Sequence, residues 1–166
     1  GANDAIVDGD ITTTLTATAS NTGGYAGSET ATTTVKNTDN ESAGITIAQT
    51  GATDGSGNLL TTETGNTSTF TVVLDAQPTA NVTVNLTGAD STEHSLSAST
   101  LTFTNANWNT PQTITVTGAN DTIVDGDITT TLTATASNTG GYAGSETATT
   151  TVKNTDNESA GITIAQ

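Results

Sequence analysis

Cysteine is absent from the 166 residues, which excludes a disulfide framework, a zinc–thiolate site and a thiol nucleophile. Basic residues are nearly absent as well. Two lysines, no arginine and one histidine face 17 acidic side chains, for a formal net charge of −15. So few cations leave phosphates unneutralised, and nucleic acid is not expected as a partner. No stretch approaches the roughly 18 consecutive apolar residues of a membrane span, and no basic segment leads into an apolar one, so membrane insertion is not expected. Aromatic residues make up 3% and hydrophobic residues 31%, enough for a thin core. What the chain has in abundance is threonine, 44 residues of it. Its β-branch suits a pleated surface, and the composition points to an all-β fold.

Residues 1–49 recur as residues 118–166 with one difference, Ala5 against Thr122. The offset of 117 residues is the length of a whole domain; solenoid rungs and propeller blades repeat at about 20–50. The chain therefore reads as a window on tandem repeats of 117 residues. The polar, turn-rich run Asn37-Thr38-Asp39-Asn40-Glu41-Ser42, repeated from Asn154, marks the linker between units. On this division residues 1–41 are the C-terminal part of a preceding repeat, 42–158 a complete repeat, and 159–166 the start of the next.

Within the complete repeat, apolar residues alternate with polar ones at period two. The runs are Ile45/Ile47, Phe70/Val72/Leu74, Val82/Val84/Leu86, Leu101/Phe103, Ile114/Val116, Ile128/Leu132/Ala134 and Ala148/Thr150/Val152. Gly, Asn and Asp turns separate them. About seven short strands of this kind predict an antiparallel, Ig-like β-sandwich. No segment carries a 3.6-residue apolar period, so no substantial helix is expected.

The acidic residues are clustered. Asp121, Asp125 and Asp127 lie in one short run with Gly126, Asp156 and Glu158 lie in the linker, and Glu63 and Glu93 stand in separate loops. Like charges about 4–5 Å apart repel by roughly 1 kcal/mol even in bulk water, and Lys153 is the repeat's one lysine to offset them. Two readings fit: a solvated acidic loop, or a site for a hard cation such as Ca²⁺, which takes six to eight oxygens from carboxylates, carbonyls and waters. An EF-hand is excluded, because its D-x-D-x-D-G spacing and distal glutamate are missing.

The repeat resembles a Calx-beta module, the calcium-binding β-sandwich of exchangers, integrins and bacterial surface proteins. The resemblance is carried by Ala43-Gly44-Ile45, Glu63-Thr64-Gly65 before Phe70, Leu101-Thr102-Phe103, Ile114 to Val116 running into Asn120-Asp121, and Asp156-Asn157-Glu158 before Ala160-Gly161-Ile162. The wording from Phe103 to Gln112 around Trp108, followed by Asp125-Gly126-Asp127, is also similar to repeats of giant RTX-type bacterial adhesins, whose domains act as calcium-stiffened extenders. The resemblance implies Ca²⁺ ligands gathered at one pole: Glu63, Glu93, Asp121, the carbonyl of Ile123, Asp125, Asp156 and Glu158, with Asp127 as an additional ligand. It implies that metal held by both the acidic turn and the linker fixes the angle between successive units. The first copy offers Asp4, Asp8, Asp10, Asp39 and Glu41 but no counterparts of Glu63 and Glu93, so its site is expected to be incomplete unless a neighbouring chain completes it.

The remaining chemistry-bearing residues point to structure. His94 is the single histidine, which rules out a Ser–His–Asp or multi-histidine site within one chain, and it is expected to pack. Trp108 is expected to cap one end of the sandwich rather than stack on sugar. Tyr25 and Tyr142, each in Gly-Gly-Tyr-Ala-Gly, are expected to anchor a hairpin through the hydroxyl. Lys36 and Lys153 each precede an asparagine, a pairing known from isopeptide crosslinks; an outward Lys153 argues against one here.

The expected function is a calcium-stabilised structural extender of an extracellular, bacterial cell-surface adhesin or filament. Its partners are neighbouring repeats and, by strand exchange, other copies of the chain. The alternative is an adhesive module that itself binds glycan or protein. An enzyme is not expected: paired carboxylates that cleave glycosides need a cleft that raises one pKa, and so few aromatics build none.

Overall fold

Threonine and valine alternating along the chain extend the backbone, and glycine-rich runs interrupt it. The computed structural model describes residues 1–165 and contains no α-helix among them. The strands are β1 (Ile11–Thr18), β2 (Thr30–Asn37), β3 (Ile45–Gln49), β4 (Leu59–Thr62), β5 (Thr67–Leu74), β6 (Val82–Thr87), β7 (His94–Leu96), β8 (Thr100–Phe103), β9 (Gln112–Gly118), β10 (Ile128–Ala136) and β11 (Thr147–Thr155).

They form three sheets, ordered β4-β11-β10-β6-β8, β3-β5-β9-β7 and β1-β2. Every named strand pair is antiparallel except β11 with β4, which run parallel from Val152↔Leu59 to Thr155↔Thr62. The two larger sheets bury one face each in a shared core. Ser68, Phe70, Val72 and Leu74 of β5 point inward on one side. Leu132 and Ala134 of β10 and Val152 of β11 do so on the other. Each large apolar side chain buried this way contributes about 1.5–3 kcal/mol.

All seven runs expected from alternation are strands. The unit contains two more, β4 and β7, for nine between residues 43 and 158. β4 escaped the period-two pattern because its apolar residues, Leu59 and Leu60, are adjacent, with only Leu59 fully inward. β7 is three residues long, too short to show a period.

Residues 1–41 hold the hairpin β1–β2, whose register from Ile11↔Asn37 to Thr18↔Thr30 copies that of β10–β11, Ile128↔Asn154 to Thr135↔Thr147. Nothing covers its faces within the described chain, and every residue of both strands is exposed. The segment before it touches the nine-stranded unit: the Val7 amide donates to Gln77 O at 3.0 Å and the Gln77 amide to Ala5 O at 2.7 Å. Residues 159–165 form no strand.

Candidate metal centre

Sheet register carries four separate segments to one pole. β4 and β11 are parallel and paired through Thr62↔Thr155, so both chains leave the sheet side by side, one into Glu63 and the other into Asp156 and Glu158. On the opposite sheet, His94 pairs with Gly118. This brings Glu93, at the entry of β7, against the exit of β9, where the Ala119 amide donates to Glu93 O at 2.7 Å. Residues 119–127 then cross the pole to Ile128, which pairs with Asn154. Gly126 takes φ +79° in this crossing, a left-handed conformation open to glycine, and its amide donates to Asp156 Oδ2 at 2.7 Å.

Two carboxylate triads result, Glu63–Asp121–Glu158 and Glu93–Asp121–Asp125, each with one oxygen per residue within 4.8 Å of the others. Two oxygens on one Ca²⁺, each at about 2.3–2.6 Å, lie no more than roughly 5 Å apart. Each triad therefore has the span to hold one metal ion, and Asp121 belongs to both. The burial is unusual for carboxylates: Glu63 is 2% exposed and Glu93 5%. Neither has a cationic partner among the described residues. Lys153 pairs with Asp127 at 2.6 Å and Lys36 pairs with Asp10, and the sequence contains no other lysine and no arginine. A buried, unpaired carboxylate is costly unless it is protonated or bound to a cation.

The pKa directions follow. Glu158 is pushed up to about 7, first by the hydrogen bond it shares with Glu63, then by partial burial, then by Asp156. Burial raises Glu93; a hydrogen bond from Asn154 opposes this, and the charges of Asp125, Asp90 and Asp121 add to it. Asp125 rises through desolvation and then the charges of Asp121, Asp156 and Glu63. The pole stores repulsion between carboxylates that a divalent ion would relieve.

Five of the expected ligands, Glu63, Glu93, Asp121, Asp125 and Glu158, form the triads. Asp156 stands beside them with its oxygens taken by amides, Gly126 N on Oδ2 and Glu158 N on Oδ1, both at 2.7 Å, and these bonds lower its pKa. It shapes the turn from which Glu158 reaches inward. Asp127 is in neither triad. Its position at the mouth of β10 points it along the sheet surface to Lys153, whose hydrogen bond holds its carboxyl below the usual range. Ile123 occupies the same turn, its amide donating to Asp121 Oδ1 at 2.6 Å.

The first copy repeats the local scaffold without the triads. Asp39 accepts from the amides of Gly9 and Glu41 at 2.7 and 3.0 Å, Asp4 accepts from Ile6 N at 2.9 Å, and Asp10 pairs with Lys36. Asp4, Asp8, Asp39 and Glu41 line a shallow polar hollow, but among the described residues no triad forms there.

Asn154 was not expected at the site. It is buried beneath it, donating to Ala119 O at 3.2 Å and weakly to Glu93 Oε2 at 3.4 Å, while its Oδ1 accepts from Thr61 at 3.0 Å. The signal was in the alternation: Asn154 is in phase with the inward Val152. That inward orientation also turns its amide away from the neighbouring Lys153, whose amine is engaged by Asp127. His94 is buried, with Nε2 3.3 Å from Thr130 Oγ1 and a pKa lowered by desolvation. Trp108 packs against the core, and its carbonyl accepts from Leu74 N at 3.1 Å. Tyr142 anchors the second hairpin, its hydroxyl donating to Ala76 O at 2.8 Å, whereas Tyr25 is exposed. No protein-family model matches this chain, and no curated protein matches it.

Proposed function

We propose that the nine-stranded unit is a Calx-beta-like, Ig-like sandwich that serves as a calcium-stabilised structural extender, one of a tandem series of 117-residue repeats in a secreted or cell-surface adhesin or filament. The hairpin β1–β2 then belongs to the preceding repeat. One observation carries the calcium reading: Glu63 and Glu93 are buried beside Asp121 and Asp125 in a chain whose two lysines are engaged elsewhere. Carboxylate oxygens without thiolate or imidazole suit a hard cation, and their loop-borne, flexible spacing suits Ca²⁺ better than the tight octahedron of Mg²⁺. Glu158 brings the linker into the same cluster, so an ion held there ties the exit of one unit to its own loops and restrains the angle to the next.

The test is a thermal melt and a calorimetric titration of the chain with Ca²⁺, Mg²⁺ and chelator. Calcium is expected to raise the melting temperature by several degrees, and small-angle scattering of a multi-repeat chain is expected to show extension. Identical melting curves and scattering profiles in calcium and in chelator would remove the proposal.

A further inference from the structure

One five-residue stretch occurs twice with a single difference, Asp4–Asp8 and Asp121–Asp125, docked in one place and bare in the other. In the first copy Ala5, Ile6 and Val7 are half-buried: Ile6 pairs in parallel with Gln77, Val7 N donates to Gln77 O at 3.0 Å, and Gln77 N donates to Ala5 O at 2.7 Å. In the second copy the twins Ile123 and Val124 are 61% and 53% exposed. The acceptor is built for close approach. Gly141 has φ +93°, and a Cβ there would lie 2.2 Å from Val7 O. Gln77 is fixed from behind by its side-chain amide, which donates to Asn105 O at 2.9 Å. Gln77 follows β5 and Gly141 lies in the turn from β10 to β11, so the acceptor is at the pole opposite the carboxylates.

We infer that Ile123–Val124 is a docking segment whose partner is the Gln77–Gly141 pole of a second copy of this unit, the following one in a head-to-tail series. The inference rests on the extender reading and gives it a mechanism for the joint: the loop that presents Asp121 and Asp125 on its flanks also plugs into the next unit through the residues between them. The one position at which the copies differ, Ala5 against Thr122, contributes its carbonyl to the docked contact, a backbone group that the threonine also carries. The contact is small, but a short linker holds its halves at an effective concentration of about millimolar, which a free pair of molecules lacks.

Amide hydrogen exchange tests this in chelator, where the bonds concerned involve no carboxylate. Two chains are compared: residues 1–166, and the same chain followed in phase by residues 50–166 once more. Val7 and Gln77 are expected to be protected in both. Val124 is expected to exchange freely in the first and about tenfold more slowly in the second. Gly141→Ala in the appended unit is expected to restore fast exchange at Val124, and Gly141→Ala in the native chain to deprotect Val7. Gly24→Ala is the control: Gly24 has φ +91° and nothing within 4 Å, so the backbone strain matches while the contact is absent. The core amides of Val116 and Val152 report folding in the same samples. A Val124 amide that exchanges equally fast in both chains overturns the inference, as does slowing that survives Gly141→Ala in a folded appended unit. Because calcium is absent, failure here leaves the calcium response standing, and a missing calcium response leaves this result standing.

Discussion

The hairpins β1–β2 and β10–β11 have the same sequence, register and turns, yet Leu15 is 53% exposed and its twin Leu132 is fully buried. Tyr25 and Tyr142, and Val35 and Val152, divide the same way. Local sequence therefore sets the pairing, and the complementary half, β3 to β9, supplies the burial. A lone two-stranded hairpin is marginal in water. A second half of the kind formed by residues 43–118 would cover the bare face of β1–β2 as β3 to β9 cover that of β10–β11.

The largest difference is expected in the core. Leu132→Ala should cost about 2–5 kcal/mol, the range for deleting a fully buried leucine, whereas Leu15→Ala should stay within about 0.5 kcal/mol, as for an ordinary surface change. Urea unfolding followed by circular dichroism measures both. A Leu15→Ala cost matching that of Leu132→Ala would mean that the first hairpin's face is covered in solution.

The carboxylate poles divide in parallel. Asp121 joins two triads, and its twin Asp4 joins none among the described residues. Asp121→Asn is expected to abolish the calcium-induced rise in melting temperature, which at a hundredfold excess over Kd corresponds to about 2.7 kcal/mol. Asp4→Asn is expected to leave it unchanged. Equal loss from both variants would place the calcium site at the joint rather than in the complete unit.

Much of this was legible in the residues. Period-two alternation gave seven strands because each has an inward face of Val, Ile, Leu or Phe, and it passed over Leu59 to Thr62 because adjacent leucines have no period. The acidic run and the linker were visible as charge, but which carboxylates meet depends on the parallel pairing of β4 with β11, a contact between residues far apart in sequence. Asp127 and Asp125 are two positions apart in the same run, and only the register of β10 against β11 assigns the first to Lys153 and the second to the triad. Likewise, identical sequence gave no hint that one Ile-Val pair is docked and the other bare, because the acceptor pairs Gly141 of the repeated stretch with Gln77, which lies outside it.

The pH response separates the two poles again. Glu158 titrates near 7 in the folded chain against a usual 4.5, so between those values the native state binds more protons than the unfolded one. Stability in chelator is therefore expected to fall as pH rises through that window. Glu93 and Asp125 act in the same direction, and Asp156 and Asp127, with lowered pKa values, act oppositely and only at more acidic pH. Glu41, the twin of Glu158, also rises, through partial burial and Asp39, but among the described residues no glutamate like Glu63 adds to this. Melting temperatures from pH 4.5 to 7.5 should thus decline in wild type and decline less in Glu63→Gln. Calcium should reverse the trend by favouring the ionised forms; a flat profile in chelator would show that the carboxylates do not repel.

The smallest effects are expected from the lysines. Lys36–Asp10 is an exposed pair, and such pairs contribute about 0–1 kcal/mol. Lys153–Asp127 is more enclosed, at 2.6 Å, with the Asp127 hydrogen bond raising the lysine's pKa. Lys36→Met should be silent in urea unfolding and Lys153→Met should lower the midpoint only slightly. The calcium titration is the more telling readout. If Lys153 is what keeps Asp127 out of the metal cluster, Lys153→Met releases a carboxylate at the mouth of β10 and calcium should bind more tightly. Lys153→Met combined with Asp127→Asn should return the affinity to that of the wild type, because the released ligand is gone. An affinity that Lys153→Met leaves unchanged would mean that strand direction alone, set by the pairing of Ile128 with Asn154, holds Asp127 away from the pole.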